Sequence, residues 1–286
     1  MEIAGIEVPS FPLGEGIEAF LDYFTEHFSF ITLAISDAAK IGIEAIVGTL
    51  MWLPPWAVIL IVAAIGWKVA GRRVAIFIVA GLALCWNLGL WYATMQTLTL
   101  VIISTAVAVT IGLPIGMAGA MFPRFKKLIM PILDFMQTMP AFVYLIPAIP
   151  FFGLGMVSAM FSTVIFSMPP AIRLTILGII QVDEDLIEAA DAFGSTKLQK
   201  LTKVQLPMAT PSIMAGINQT IMLALSMVVI AAMIGAKGLG GEVWKAIQRL
   251  QPGNGFEAGL AVVILAMVLD RITQNLGGEE GKEAKT

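Results

Sequence analysis

Uncharged stretches divide this chain into blocks long enough to cross a bilayer. A spanning helix takes roughly 20 mostly apolar residues, because a rise of about 1.5 Å per residue must cover about 30 Å of hydrocarbon. Ala45 to Trp67 carries no charge and gives one span, entered near Pro54-Pro55. Val74 to Pro123 is uncharged throughout and gives two, with a break around Trp91 to Thr94. From Leu128 to Ile180 only Asp134 and Arg173 interrupt, which gives two more, turning at Gly153-Leu154-Gly155. Leu206 to Ala236 supplies a sixth, and Phe256 to Leu276, with Asp270 and Arg271 inside it, a seventh. The pattern predicts an all-α polytopic membrane protein of about seven transmembrane helices.

Ahead of the first span, Phe20, Phe24, Phe28, Ile31 and Ile35 recur at helical spacing with acids between them. That spacing predicts an N-terminal amphipathic helix lying at the membrane interface, after a tail over residues 1–15. The first 44 residues hold eight acids and one lysine, so they lack the basic start of a secretory signal. At the other end, Gly277 to Lys282 reads as a solvated tail. The expected organisation is an acidic extracytoplasmic tail and amphipathic helix (1–44), two accessory helices (45–92), a five-helix core (93–276) and a charged tail (277–286).

Composition agrees with a membrane protein. Of the 286 residues 58% are hydrophobic and 13% charged, against about 45–50% and about 25% in soluble domains. The single cysteine, Cys85, excludes a disulfide framework and a Cys-based metal site. The single histidine, His27, excludes His-pair metal ligation and a Ser-His-Asp triad. A net charge of −3 argues against nucleic acid. Basic residues then orient the spans. With the Arg72-Arg73 turn inside, twelve lysines and arginines fall in the cytoplasm and four, Lys40, Lys237, Lys245 and Arg249, fall outside. The N-terminus is expected outside and the C-terminus in the cytoplasm of a bacterial inner-membrane, multi-pass protein.

One sizeable cytoplasmic loop is expected, over residues 181–210, and it is patterned. Asp183, Glu184 and Asp185 open a helix where its dipole favours acids. Leu186, Ala189, Ala190 and Phe193 form one apolar face, and Gly194 suits the left-handed turn that ends a helix. Ser195 or Thr196 caps a second helix with the stripe Leu198, Leu201 and Val204, and Pro207 and Pro211 are expected to stop it before the next span. An apolar face in the cytoplasm needs a cover. On pattern alone, a partner and self-packing are equally good covers.

Glu188-Ala189-Ala190, followed by Gly194 and Leu206-Pro207, resembles the EAA loop of permease subunits of bacterial ABC importers. The stretches Pro131 to Pro147, Gly216 to Met227, Val228 to Gly235 and Leu269 to Gln274 are similar to the glycine betaine/proline subfamily. The resemblance covers roughly residues 45–276 and implies a type I importer permease fold. It implies that Glu188, Ala189, Ala190, Phe193, Gly194, Leu206 and Pro207 couple this chain to an ATPase subunit. It also implies two ATPase copies, a second copy of this permease, and a separate extracytoplasmic binding protein, since some relatives carry a fused binding domain and this chain ends in a short tail.

The chain has no G-x-x-x-x-G-K-[ST] loop, so ATP with magnesium is expected on the partner ATPase, with no cofactor, metal or catalytic residue on this chain. Thr138 and Tyr144 in the fourth span, with Asn218, Gln219 and Ser226 in the sixth, are expected to line a polar path; helix–helix hydrogen bonding accounts for them equally well. A local ion pair of Asp134 with Arg124, Lys126 or Lys127 is expected, and Gly112-x-x-x-Gly116 with Gly119 predicts a close helix contact. The competing class, an ATP-independent secondary transporter or channel, would need intramembrane ionisable residues for ion coupling. The spans offer few: Asp134, Asp270, Arg173 and Arg271.

Overall fold

The structure, a computed structural model, describes residues 2–3, 6–7 and 12–276. The tail expected over 277–286, and residues 1, 4–5 and 8–11 of the N-terminal tail, lie outside the described residues. Glu2–Ile3 and Ile6–Glu7 form a minimal antiparallel pair. The rest is helical: α1 (Leu13–Trp52), α2 (Pro55–Ala70), α3 (Arg72–Asn87), α4 (Trp91–Met121), α5 (Pro123–Thr138), α6 (Leu145–Phe152), α7 (Met156–Ile180), α8 (Glu184–Ala192), α9 (Lys197–Lys200), α10 (Leu206–Ala231), α11 (Leu239–Gln248) and α12 (Pro252–Leu276).

Proline decides where the apolar blocks bend. Leu53 and Pro54 leave α1 in extended backbone, and α2 departs at 103°. Met139-Pro140 likewise breaks the fourth apolar block, bending α6 by 111° from α5. Each break follows from a pyrrolidine that has no N–H and disfavours helix in the residue before it. The amphipathic helix is present but longer than expected, since α1 runs unbroken through residue 44 to Trp52.

The seven expected spans fall on α2, α3, α4, the α5–α6 pair, α7, α10 and α12. By length and apolarity the described residues offer fewer. The helices α4, α7 and the continuous run Lys197–Ile234 qualify alone, and the two bent pairs raise the number to five. Helices α2 and α3 have 16 residues each, about 24 Å and short of the hydrocarbon thickness.

At the centre α7 packs between α4 and α10, and small residues set those distances. Along α4, Gly112, Gly116 and Gly119 face Ala171, Ile172, Thr175 and Ile176 of α7. A Cβ at Gly116 would lie 2.6 Å from that of Thr175, so the two backbones meet where the glycine spacing predicts. Gly178 of α7 meets Ala209 and Ser212 of α10, and Gly216 of α10 meets Pro170 and Leu174 of α7. The buried hydroxyls of Thr99, Thr163, Ser167, Thr175 and Thr220 donate to carbonyls one turn back, which keeps them satisfied inside an apolar bundle. The α2–α3 hairpin and α12 pack together on the flank.

The bundle has two distinct ends. At one, Lys40 and Glu44 of α1, Tyr92 and Gln96 of α4, Met156 of α7 and Lys237 line a cavity of about 530 Å³. Leu88, Glu242, Lys245, Arg249 and Asn254 gather at the same end around a smaller one. The glycine cluster 235–241 is structural there. Leu239 donates its N–H to Thr97 Oγ1 at 2.8 Å, Gly238 has φ +120°, and Gly240 lies on the Val228 backbone. At the opposite end Ile179, Leu201, Ala209 and Ile213 form a small core with Leu113, Met117 and Met121 beside it.

Candidate functional site

The patterned loop leaves the bundle at this second end. Asp183 precedes α8 in extended backbone, and Glu184 and Asp185 occupy its first turn, as the dipole favours. The helix ends through Ser195 N–H to Ala190 O at 3.0 Å and Gly194 N–H to Asp191 O at 2.9 Å, with Gly194 at φ +74°. This is the left-handed closure its position predicts. Thr196 and Gln199 then form a reciprocal capping box (2.9 and 3.3 Å) that starts α9. Lys200 Nζ reaches both carboxylate oxygens of Asp191 at 2.7 Å and ties α9 to α8.

Pro207 and Pro211 do not stop the second helix as expected. Leu201–Gln205 forms a π turn, in which Leu206 N–H bonds to Leu201 O, and the helix runs on into α10. The wider turn lies directly ahead of Pro207, whose missing N–H would point back into it, and Pro211 sits within α10 without breaking it. Helical backbone is therefore continuous from Lys197 to Ile234.

Of the loop residues read from sequence, Ala190 is buried and Leu206 half-buried against the core of Leu201 and Ile179. Glu188, Ala189, Gly194 and Pro207 are exposed. Phe193 is 91% exposed, and Leu198 and Leu186 are exposed too. The apolar face is thus covered only in part: Ala190 is buried against this chain, while Leu186, Ala189 and Phe193 stay exposed.

The polar residues of the spans separate into two places. On α10, Asn218 accepts from Thr273 Oγ1 (2.6 Å) and donates to Asp270 Oδ1 (3.0 Å), binding α10 to α12. Asn218 and Gln219 also line an open cavity of about 480 Å³ with Met222 and Gln274. Ser226, two turns further along α10, is exposed and donates to Met222 O at 3.0 Å. At the α5–α6 break, Thr138 is exposed and donates to Phe135 O at 2.9 Å. Tyr144 is buried, and its hydroxyl donates to the Met136 carbonyl across the break. The structure does not bring Tyr144 and Asn218 into one site.

Asp134 pairs differently from the expectation. Its partner is Arg173 of α7, with Nη2 to Oδ1 at 2.5 Å, because α5 packs along α7 and turns Asp134 toward it. Two opposite charges in neighbouring spans were the available signal. Asp270 was likewise visible only as a charge in a span, not as the acceptor holding Asn218 and Gln274.

Broken helices, glycine-set seams and an exposed amphipathic loop on a continuous span describe a polytopic helical membrane protein. Residues 108–276 match the family described as binding-protein-dependent transport system inner membrane component, and the chain belongs to that family. It is 49% identical over 269 residues to the glycine betaine transport system permease protein OpuAB of Bacillus subtilis, covering 94% of this chain and 95% of that one. It is 50% identical over 275 residues to the glycine betaine/carnitine transport permease protein GbuB of Listeria monocytogenes, covering 93% and 96%. An inward-facing structure of the MetNI methionine ABC transporter shares the fold, with TM-score 0.58 and 21% identity over 66% of this chain and 93% of that chain. The chain is a multi-pass inner-membrane permease subunit of the ABC importer class, not an enzyme, and ATP hydrolysis belongs to a separate subunit.

Proposed function

We propose that this permease carries glycine betaine or a closely related compatible solute into the cell, as a homodimer with two ATPase subunits and a separate extracytoplasmic binding protein. The names of the similar permeases support the solute, and the family's dependence on a binding protein supports that partner. ATP with magnesium acts on the ATPase. The proposed orientation puts the 181–210 loop and the C-terminus in the cytoplasm and the N-terminus outside, on the excess of basic residues.

One observation carries the coupling role: Phe193, with 91% of its surface exposed, stands at the C-terminal end of α8, outside the bundle. An aromatic presented so is the kind of anchor that fills a pocket in a partner. In this reading Glu188, Ala189, Ala190, Phe193 and Gly194 seat in the ATPase, and Leu206 and Pro207 join the seat to α10. ATP-driven closure draws the two α8 helices together and opens the spans outward; hydrolysis reverses the state. ATP supplies the differential affinity that any such shift requires. Thr138, Tyr144, Asn218, Gln219 and Ser226 are the polar positions proposed along the path.

The test uses the reconstituted importer in liposomes. With Cys85 replaced by alanine, Glu188→Cys should crosslink to an engineered cysteine in the ATPase cleft. Phe193→Ser should weaken ATPase binding by about 2 kcal/mol or more and abolish uptake. Normal uptake by Phe193→Ser and Gly194→Val, with no crosslink in any nucleotide state, would remove the coupling assignment.

A further inference from the structure

We infer that the Asp134–Arg173 ion pair is a solute contact on the translocation path, opening to take a dipolar solute end to end, with Arg173 on its carboxylate and Asp134 on its cationic group. The inference rests on the betaine reading above and names the residues that would serve it.

Depth comes first. Asp134 lies about 16 Å along α5 from Pro123, and Arg173 about 10 Å before the end of α7. Both positions fall inside helices read as membrane-spanning, where ionised groups are costly and face protein or water rather than lipid. The pair is also unsealed: the Asp134 side chain is 62% exposed and that of Arg173 33%. A clamp between α5 and α7 would belong in their seam, where Leu133, Ile172 and Ile176 pack. Instead the charges sit beside it, on a face of α5 shared with exposed Thr138, one turn further on. An ionised pair at that depth calls for protein or water beside it rather than lipid, and a solute path supplies the water.

Unused bonding capacity points to a ligand. Only one oxygen of Asp134 and one nitrogen of Arg173 are joined, and Arg173 Nε is buried with no partner among the described residues. A guanidinium offers a planar fork that matches a carboxylate with two parallel bonds. A solute with a trimethylammonium group one methylene from a carboxylate carries both charges a few ångström apart. Inserted between the two side chains, it replaces one ion pair by two and leaves the site neutral. Because it must first displace an existing bridge, its hold stays weak, as passage requires.

The experiment compares the complete importer in liposomes with its Asp134→Asn, Arg173→Gln and charge-exchanged (D134R/R173D) forms, using assembly and ATP hydrolysis as folding readouts. Each variant should assemble, hydrolyse ATP and take up glycine betaine at least tenfold more slowly. Restoration of uptake by the exchange would make the pair a structural clamp and overturn the proposal, as would normal uptake by Asp134→Asn. A second arm places Asp134→Cys in a Cys85→Ala background. A trimethylammonium-bearing thiosulfonate should modify it from water, and saturating glycine betaine should slow that reaction severalfold. No modification in any nucleotide state would overturn the proposal. Wild-type importer that accumulates no betaine would defeat the solute reading itself, and is distinguished from these outcomes by appearing in the unmodified complex.

Discussion

One methyl group distinguishes two kinds of glycine in this bundle. A Cβ at Gly240 would lie 2.5 Å from the Val228 carbonyl oxygen and 2.8 Å from the Val229 Cα. Backbone cannot swing aside as a side-chain tip can, so α11 would be driven off α10. A Cβ at Gly259 in α12 would meet nothing within 4 Å. Gly240→Ala should therefore destabilise by about 1–3 kcal/mol, the usual cost of overpacking. Gly259→Ala should be neutral or slightly stabilising, since alanine favours helix. Thermal unfolding of the purified permease in one detergent checks both, with Gly240→Ala expected several degrees below the parent and Gly259→Ala at or above it. The glycines at 112, 116 and 119 were legible in the sequence because their spacing names a helix face. Those at 238 and 240 were not, because Thr97 lies far from Gly238 along the chain and Val228 meets Gly240 only once the chain has turned back after α10. Asp134 was hidden for the same reason: sequence neighbours suggested a local cation, and packing of α5 on α7 supplied Arg173.

Among the elements, the informative one is the helix that does not end. Lys197–Ile234 is continuous through Pro207 and Pro211 by way of a π turn at Leu201–Gln205. A loop joined to its span this way moves with it as one rod. Thr202 and Lys203 are exposed in that turn, so changing them alters backbone stiffness more than packing. Replacing both by glycine costs about 1 kcal/mol each in helix stability and inserts a soft joint. Uptake per ATP hydrolysed should fall severalfold, with hydrolysis and ATPase binding retained, while the double alanine variant should transport normally. Equal efficiency in the two variants would show that stiffness here is immaterial. The helix α8, its capped successor and the turn at Gly194 were readable from local signals, each within a few residues. The continuation was not, because proline predicts a stop, and only the tertiary anchoring of Leu201 against Ile179 and Ile213 holds the wider turn closed.

For the whole molecule, the two ends of the bundle carry the orientation argument. The geometry gathers Lys40 and Lys237 at one cavity and Lys245 and Arg249 at the next, all at the same end. The α2–α3 hairpin has its open side there, with Leu88 beside Lys245, so the Arg72-Arg73 turn points the other way. The loop with Lys197, Lys200 and Lys203 leaves from that other end too, next to Met117 and Met121 of α4. The charge count from sequence and the grouping in space are thus two views of one asymmetry: four basic residues against a much larger set, which the proposed orientation keeps in the cytoplasm. Single cysteines in a Cys85→Ala background make this measurable, since Cys85 is buried in α3 and its removal leaves no other thiol. A membrane-impermeant maleimide applied to intact cells, or to spheroplasts where an outer membrane is present, should label Arg249→Cys and leave Arg72→Cys and Lys197→Cys untouched until the membrane is opened. All three positions are exposed in the fold, so silence reports the side of the membrane and not burial. The reverse pattern would put the 181–210 loop outside, beyond the reach of any cytoplasmic ATPase, and the coupling reading would fall with the orientation.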